Sequence, residues 1–283
     1  MSTRKTAIRA AATALALSGL FSATVGTAHA TDDSGGARTR IVGGHAATVP
    51  TPWMVWMDFD APQDHLYGKP FCAATLVSPR IALGAAHCAS EKITGIPVSH
   101  RKIKARVGSQ DRTRGGETAA VARVVFGHDW RDGAGDPMGD AAVYVLDHPV
   151  EAQTIQMAST SPDVGDEVVL FGWGKTDPNP KRQRQLPKNL QQLETTVVAP
   201  QRCTDGTSGE LCLDNPDGYA GPGPGDSGGP AVQYIDGVPK LVGICSRGTG
   251  SPGTTANSYT EVASGQVRQL VHDEAMKDYA LAA

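Results

Sequence analysis

The chain has 283 residues, of which 40% are hydrophobic and 19% are charged, and its formal net charge is −3. This composition is too apolar and too weakly charged for a disordered chain, and the length suffices for one large domain or two modest ones. The basic residues near the N-terminus leave the rest of the chain more acidic, and no basic stripe interleaved with aromatic residues is evident. We therefore expect no nucleic-acid partner.

The first 30 residues are organised like a secretory signal peptide. Three basic residues precede an uncharged, Ala/Leu-rich run over 10–25, and small residues at 28–30 suit a cleavage site. An uncleaved membrane anchor is the alternative, but Ser, Thr and Gly dilute the apolar run. We expect residues 1–30 to be removed and the mature protein to be secreted and extracellular, with no membrane attachment.

A polar stretch over 31–40 ends in Arg40 and gives way at once to the apolar Ile41-Val42-Gly43-Gly44. This abrupt change predicts an activation propeptide, 31–40, that is cleaved after Arg40. Cleavage would free the amine of Ile41, whose ordinary pKa of about 8 leaves it mostly cationic at neutral pH.

Beyond Ile41, short β-rich runs alternate with turns rich in Gly, Pro, Asp and Asn. The runs lie at 54–57, 74–77, 81–85, 119–125, 141–146, 167–171, 194–198, 231–234 and 241–245. Because no helices alternate with them, the pattern predicts an all-β sandwich or pair of barrels. Only the segment 263–283 has helical spacing, with Val267, Leu270, Val271 and Met276 on one face.

Three residues have the chemistry of a nucleophilic hydrolase. Ser227 lies within Gly225-Asp226-Ser227-Gly228-Gly229-Pro230, where glycines allow a tight turn whose backbone N–H groups can converge on an oxyanion. Gly-x-Ser-x-Gly also occurs in α/β-hydrolases, which need an acid and then a histidine after the serine. Only His272 is available there, whereas His87 and Asp140 precede Ser227 in the order histidine, aspartate, serine.

From Ile41 to the terminal helix, the chain resembles the trypsin/chymotrypsin family of serine endopeptidases. The matching motifs are Ile41-Val42-Gly43-Gly44, Cys72 with Ala85-Ala86-His87-Cys88, Asp140 before its apolar strand, Gly172-Trp173-Gly174, Gly225 to Pro230, and Ser246 with Gly248. The resemblance implies two antiparallel six-stranded Greek-key β-barrels, over 41–158 and 159–283, with a C-terminal α-helix and the active site between the barrels.

The resemblance also implies a role for each site residue. Ser227 would attack the scissile carbonyl, His87 would take its proton, and Asp140 would orient the imidazole. The backbone N–H groups of Gly225 and Ser227 would form the oxyanion hole. The Ile41 ammonium would pair with Asp226 and order the hole, so that the uncut chain is a zymogen.

The partners expected from this resemblance are polypeptide substrates, protein protease inhibitors and an activating protease, with the enzyme itself a monomer. We expect no cofactor and no metal, because the eight histidines do not cluster with cysteines at ligand spacing.

Four of the five cysteines match disulfides of the family, Cys72 with Cys88 and Cys203 with Cys212. Cys245 is left over, and we interpret it as a buried free thiol. Many relatives carry a further bridge that starts four residues before the nucleophile. Here that position is Gly223, and the partner region over 246–252 has no cysteine either.

Substrate preference follows from the base of the primary specificity pocket, which the resemblance places at Gly221. Trypsin-like members carry an aspartate there, and without it an Arg or Lys side chain would lack a partner. Gly248 and Gly253 also suggest an open pocket, so we predict a neutral, apolar or aromatic residue before the scissile bond. Asp214 and Asp217 are close enough in sequence to keep trypsin-like Arg/Lys specificity as the alternative.

The strand that would line the substrate departs from the family at one residue. Ser246 and Gly248 are expected to pair with an extended peptide backbone. Between them, Arg247 replaces a common aromatic residue, which predicts altered recognition of upstream substrate residues, toward acidic ones. This substitution and the missing bridge leave open a catalytically inactive relative that acts as a binding module.

Overall fold

The computed structural model describes residues 41–60, 71–91, 102–128, 130, 139–177, 186–203, 209–218, 220–248 and 256–282. The predicted signal peptide, the propeptide with Arg40, and Gly253 lie outside these ranges. No helix among the described residues is long and apolar enough to cross a membrane.

The described residues form fourteen β-strands and one α-helix. In chain order they are β1 His45–Ala46, β2 Met54–Asp60, β3 Phe71–Ser78, β4 Ile81–Gly84, β5 Lys102–Val107, β6 Glu117–Phe126, β7 Ala142–Leu146, β8 Gln156–Met157, β9 Glu167–Gly172, β10 Gln191–Val198, β11 Glu210–Leu213, β12 Pro230–Ile235, β13 Val238–Arg247, β14 Asn257–Glu261 and α1 Gly265–Ala282.

The first barrel closes six antiparallel strands in the order β2-β3-β4-β7-β6-β5. Its interior is filled by fully buried aliphatic, aromatic and methionine side chains, among them Met54, Leu76, Ile81 and Tyr144. Strand β5 alternates exposed Lys102 with buried Ile103, as expected for a strand with one face on the core.

The second barrel closes six antiparallel strands in the order β9-β10-β11-β14-β13-β12, with β12 returning to β9. The short strands β1 and β8 attach to β10 and β13. A separate core fills this barrel, with buried Leu170, Leu193, Leu213 and Tyr259. The predicted all-β fold of two antiparallel six-stranded barrels with a C-terminal helix is therefore confirmed.

Helix α1 packs against β4 and β7 of the first barrel, although it follows the last strand of the second. Val267 and Val271, predicted on one helix face, are both buried, but the assignment of Met276 to this face is wrong, since it is 56% exposed. Glu274 lies on the buried face instead, because it follows Val267 and Val271 at the helical spacing of seven and three residues. Its carboxylate, 1% exposed, accepts hydrogen bonds from Arg123 and Lys277.

Candidate active site

His87 and Asp140 meet at one end of the first barrel because their strands are paired. His87 lies in a short 3₁₀ turn, Ala86–Cys88, just after β4, and Asp140 comes two residues before β7. The register pairs Gly84 with Ala142, so the turn and the aspartate lie side by side. Asp140 Oδ2 is 2.8 Å from His87 Nδ1, and Oδ1 accepts the His87 backbone N–H at 2.9 Å. The carboxylate therefore fixes both the ring and the backbone of the histidine.

Asp140 also ties the first barrel to the second. Ser246 Oγ, at the end of β13, donates to Asp140 Oδ2 at 2.6 Å, and Thr260 Oγ1 donates to the Asp140 carbonyl at 3.1 Å. Burial alone would raise the pKa of Asp140, but the nearby His87 and the hydrogen bonds from His87 and Ser246 outweigh it and lower the pKa. Asp140 is thus ionised at neutral pH.

This carboxylate determines the protonation of His87. Burial favours the neutral imidazole, but the charge of Asp140 and the hydrogen bond to it have the larger combined effect and raise the pKa of His87 above its usual 6.5. Because an ionised carboxylate can only accept, Nδ1 carries the proton. In the neutral ring, Nε2 is then left as the acceptor.

Ser227 lies in the turn before β12, next to the histidine turn. The Ser227 carbonyl accepts the Ala73 N–H at 2.8 Å, and a Cβ atom on Gly228 would come within 3.0 Å of the Ala85 backbone nitrogen. The structure thus brings the three predicted catalytic residues to one site. Ser227 Oγ and His87 Nε2, both described, are not hydrogen-bonded to each other, and Nε2 lies 3.8 Å from Cys88 Sγ.

Gly225, predicted to supply an oxyanion-hole N–H, has a left-handed backbone with φ +106°. A Cβ atom here would lie 2.2 Å from the ring of Phe71, so no side chain fits. Phe71 stacks on Trp56 with centroids 5.4 Å apart, and Trp56 meets Trp173 edge-on at 5.9 Å. The Arg112 guanidinium lies 5.0 Å from the Trp56 ring centroid. An aromatic stack therefore supports the backbone of the predicted oxyanion hole.

Asp226 is 2% exposed and is held by two backbone donors. Gly174 N–H donates to Oδ1 at 2.7 Å and Gly223 N–H donates to Oδ2 at 2.8 Å. Burial outweighs these bonds and raises the pKa of Asp226 to about 6. Ile41, also buried, follows the predicted cleavage site, and its neighbour Val42 forms a β-bridge to Gly221.

Comparison with known proteins identifies the family. A family model described as trypsin matches residues 41–268. The chain belongs to the trypsin family. It is therefore a serine-type endopeptidase, and its substrates are polypeptides.

Similar proteins include trypsin iota of Drosophila melanogaster, 31% identical over 75% of this chain and 79% of that protein. Fibrinolytic enzyme isozyme C of Lumbricus rubellus is 28% identical over 62% of this chain and 75% of that protein. Mouse neuropsin, a solved serine protease structure, has a TM-score of 0.64 at 22% identity and covers 84% of this chain and all of its own. A scabies mite inactivated protease paralogue matches with the same TM-score at 21% identity, over 84% of this chain and 97% of its own.

Both disulfides expected of a trypsin-family member are present, joining Cys72 to Cys88 and Cys203 to Cys212. Cys245 is free and buried, and burial raises the pKa of its thiol, which keeps it protonated and unreactive. Among the described residues, the one cluster with metal-ligand spacing is Cys72, His87 and Cys88. Its two sulfurs are bonded to each other, so no thiolate is available to a metal.

Gly223, where many trypsin-family members carry a further bridge near the nucleophile, lies close to the backbone of Lys175. A Cβ atom at Gly223 would lie 2.5 Å from the Lys175 carbonyl oxygen, so a cysteine could not occupy this position without a shift. Lys175 N–H donates to the Pro224 carbonyl at 2.9 Å. Together with the two bonds of Asp226, this contact joins the 223–226 segment to residues 174 and 175.

The predicted pocket base, Gly221, faces two side chains that were not predicted from the sequence, Asn215 and Asn257. The signal for Asn257 was weak, because a single polar residue at the start of a strand resembles any turn residue. Asp214, offered above as an alternative acid, accepts a hydrogen bond from Arg202 at 3.2 Å. The side chain of Asp217 and all of Gly253 lie outside the described residues.

Arg247 is bonded through both of its terminal nitrogens to the buried carboxylate of Glu210, with Nη2 2.8 Å from Oε2. Glu210 was not predicted from the sequence to touch the substrate strand. Because the pair neutralises the charge of Arg247, the expected attraction of acidic upstream residues loses its physical basis.

Proposed function

We propose that the protein is a secreted serine endopeptidase, made as a zymogen, that cleaves peptide bonds through an acyl-enzyme on Ser227. The observation that carries this proposal is that Asp140 accepts two hydrogen bonds from His87, one from Nδ1–H and one from the backbone N–H, beside the Ser227 turn. This arrangement keeps the proton on Nδ1 and leaves Nε2 as the proton acceptor.

The catalytic steps follow from these positions. His87 Nε2 takes the proton of Ser227 as its Oγ attacks the carbonyl, and Asp140 stabilises the imidazolium that forms. The N–H groups of Gly225 and Ser227 stabilise the oxyanion. His87 then gives its proton to the leaving amine, and it activates the water that hydrolyses the acyl-enzyme.

Activation begins with removal of residues 1–30 and continues with cleavage after Arg40 by another protease. The free ammonium of Ile41 then pairs with Asp226 and stabilises the loop that carries Gly225 and Ser227. Support comes from Asp226 itself, a buried carboxylate whose pKa is raised by burial, because a nearby ammonium would stabilise its ionised form. The active enzyme is a monomer that protein protease inhibitors would recognise at the same cleft.

Specificity is for a neutral residue before the scissile bond. The side chains that meet Gly221 are the carboxamides of Asn215 and Asn257, neither of which can balance an Arg or Lys. Trypsin-like Arg/Lys cleavage therefore remains the weaker alternative.

A fluorophosphonate probe tests the catalytic proposal. It should label the form that begins at Ile41, at Ser227, and leave Ser227→Ala unlabelled. The uncut chain should label at least about tenfold more slowly, because no Ile41 ammonium is present to pair with Asp226 and order its oxyanion hole. Absence of Ser227-dependent labelling in the cut form would refute the proposal and favour a catalytically inactive binding protein.

A further inference from the structure

Two asparagine side chains lie against Gly221, the predicted base of the specificity pocket. Asn257 begins β14 and is 3% exposed, and its Nδ2 donates to Asn215 Oδ1. A Cβ atom on Gly221 would lie 2.9 Å from Asn257 Nδ2 and 3.1 Å from Asn215 Oδ1. The two carboxamides therefore fill the volume that a side chain at residue 221 would take.

Gly248, predicted to line the same pocket, also lies close to the backbone of Pro222. A Cβ atom on Gly248 would lie 3.1 Å from the Pro222 carbonyl oxygen and 3.4 Å from Asn257 Oδ1. Since a carbon–carbon bond is about 1.5 Å long, the Gly248 Cα lies less than about 5 Å from that oxygen. A carbon group placed between them would need about 7 Å, twice the usual contact distance. At this point the gap is too narrow for an aromatic ring.

The polarity of the Asn215 and Asn257 side chains also disfavours a large apolar substrate residue. A large apolar side chain would have to displace the Asn257 carboxamide and break its hydrogen bond to Asn215, which is costly in a buried site. Arg or Lys would find no carboxylate among the described side chains that meet Gly221. A small side chain requires neither displacement of Asn257 nor a carboxylate partner. A hydroxyl could also form a hydrogen bond with a carboxamide.

From this geometry we propose that Asn257, held by Asn215, restricts the pocket to small uncharged residues, of the size of alanine or serine. The inference rests on the proposed endopeptidase function, and it replaces the apolar or aromatic preference predicted from the sequence. Asn257 is the specificity-determining residue, because its side chain contacts both the floor at Gly221 and the wall at Gly248.

The test uses the enzyme that begins at Ile41 and peptidyl p-nitroanilides that differ only in the residue before the scissile bond. We expect kcat/KM for Ala and Ser to exceed that for Leu, Phe and Arg at least tenfold. In Asn257→Gly, which removes this side chain, the ratio of kcat/KM for Phe or Leu to that for Ala should rise at least tenfold. The matched control Asn189→Gly removes an asparagine outside the pocket and should keep the wild-type ranking.

Fluorophosphonate labelling of Ser227 separates this inference from the proposed function, because the probe does not need the pocket. Labelling together with a wild-type preference for Phe, Leu or Arg would overturn the inference alone, whereas loss of labelling in the wild type would overturn the function. If Asn257→Gly is not labelled, Asn257→Ala and Asn215→Ala provide the same comparison. An unchanged ranking in every labelled variant would overturn the role of Asn257.

Discussion

At the scale of single residues, the chemistry depends on how Asp140 is surrounded. Its carboxylate accepts bonds from the His87 ring, the His87 backbone and Ser246, and it is buried between the two barrels. These contacts keep Asp140 ionised and raise the pKa of His87. The ionised Asp140 holds the His87 proton on Nδ1, and the raised pKa makes the neutral ring a stronger base for the proton of Ser227.

The pH dependence of catalysis follows from the sign of the His87 shift. Because the imidazole must be neutral to act as a base, kcat/KM should rise with pH through an apparent pKa above 6.5, the usual value for histidine. Steady-state kinetics on a peptidyl anilide between pH 5 and 9 measures this value. An apparent pKa below 6.5 would contradict the effect assigned to Asp140.

Replacing Asp140 should separate its role from simple folding. Asp140→Asn can donate to Nδ1, so the ring adopts the wrong tautomer and kcat should fall by about 10⁴-fold near neutral pH. Circular dichroism and thermal unfolding provide the control, because the amide keeps the shape of the carboxylate. A folded Asp140→Asn enzyme with less than a tenfold loss would show that this residue does not orient the base.

The sequence predicts Ser227, His87 and Asp140 as the reacting residues because they stand in local patterns and in a diagnostic order. Residues that act through a tertiary contact have no such signature. Glu210 and Asn257 come together with Arg247 and Gly221 only when β11, β13 and β14 pair. Their roles therefore follow from strand register, which the sequence does not specify.

At the scale of elements, the loop that carries Gly225 and Ser227 is supported by the start of β3. The Phe71 ring fills the space beside Gly225 and is itself stacked on Trp56 of β2. Any gap here would let the loop move and displace an oxyanion donor. Removing one such donor outright lowers kcat by about 10² to 10³-fold.

Truncation of Phe71 tests this support. Phe71→Ala should lower kcat by about tenfold to a hundredfold with KM changed less than about threefold, since the donor is displaced rather than lost. Phe71→Leu keeps much of the volume and should recover most of the rate. If folded Phe71→Ala keeps the wild-type kcat, the stack has no part in positioning Gly225.

The terminal helix is the second element whose role can be measured. Glu274 is buried on the first barrel with Arg123 and Lys277 as partners, so Glu274→Ala should lower the free energy of unfolding by about 1 to 3 kcal/mol. Asp273→Ala, at an exposed position of the same helix, should cost less than about 0.5 kcal/mol. Urea unfolding compares the two, and equal losses would contradict the structural role of Glu274.

The strands that were predicted are those with continuous apolar or β-branched runs, and each of the nine overlaps an observed strand. Those not predicted have a physical reason. β5 alternates Lys and Arg with small apolar residues, and β11 and β14 carry charged or polar residues that bury only through pairing with each other. Met276 was wrongly assigned for a similar reason: burial depends on tertiary contacts, and the helical pattern alone did not show which face meets the barrel.

At the scale of the whole molecule, the two ends of the described chain link the barrels. β1, near the predicted new N-terminus, pairs with β10 of the second barrel, while α1 packs on β4 and β7 of the first. The predicted catalytic residues lie where the barrels meet, with Asp140 of the first bonded to Ser246 of the second. Stability and catalysis are therefore coupled through the same interface.

The proposed zymogen switch predicts a pH-dependent stability. The pKa of Asp226 is raised from 3.8 to about 6, so folding of the uncut chain should lose about 2 to 3 kcal/mol as pH rises from 4 to above 6. Cleavage after Arg40 supplies the Ile41 ammonium, lowers that pKa and should remove the loss.

This prediction is measured by urea unfolding at pH 4, 6 and 8 in a Ser227→Ala background, which prevents self-digestion. Other titrating groups are common to all variants, so Asp226→Asn isolates the contribution of this carboxylate. The account fails here if the uncut chain has the same pH dependence with and without the Asp226→Asn substitution.

The most direct test of the central claim is digestion of a broad peptide library by the form that begins at Ile41, with cleavage sites identified by mass spectrometry. A Ser227→Ala control of the same form is digested in parallel. The account predicts cuts that are absent from the control and that follow small uncharged residues. Absence of Ser227-dependent cleavage would contradict the claim that this trypsin-family chain is an active endopeptidase.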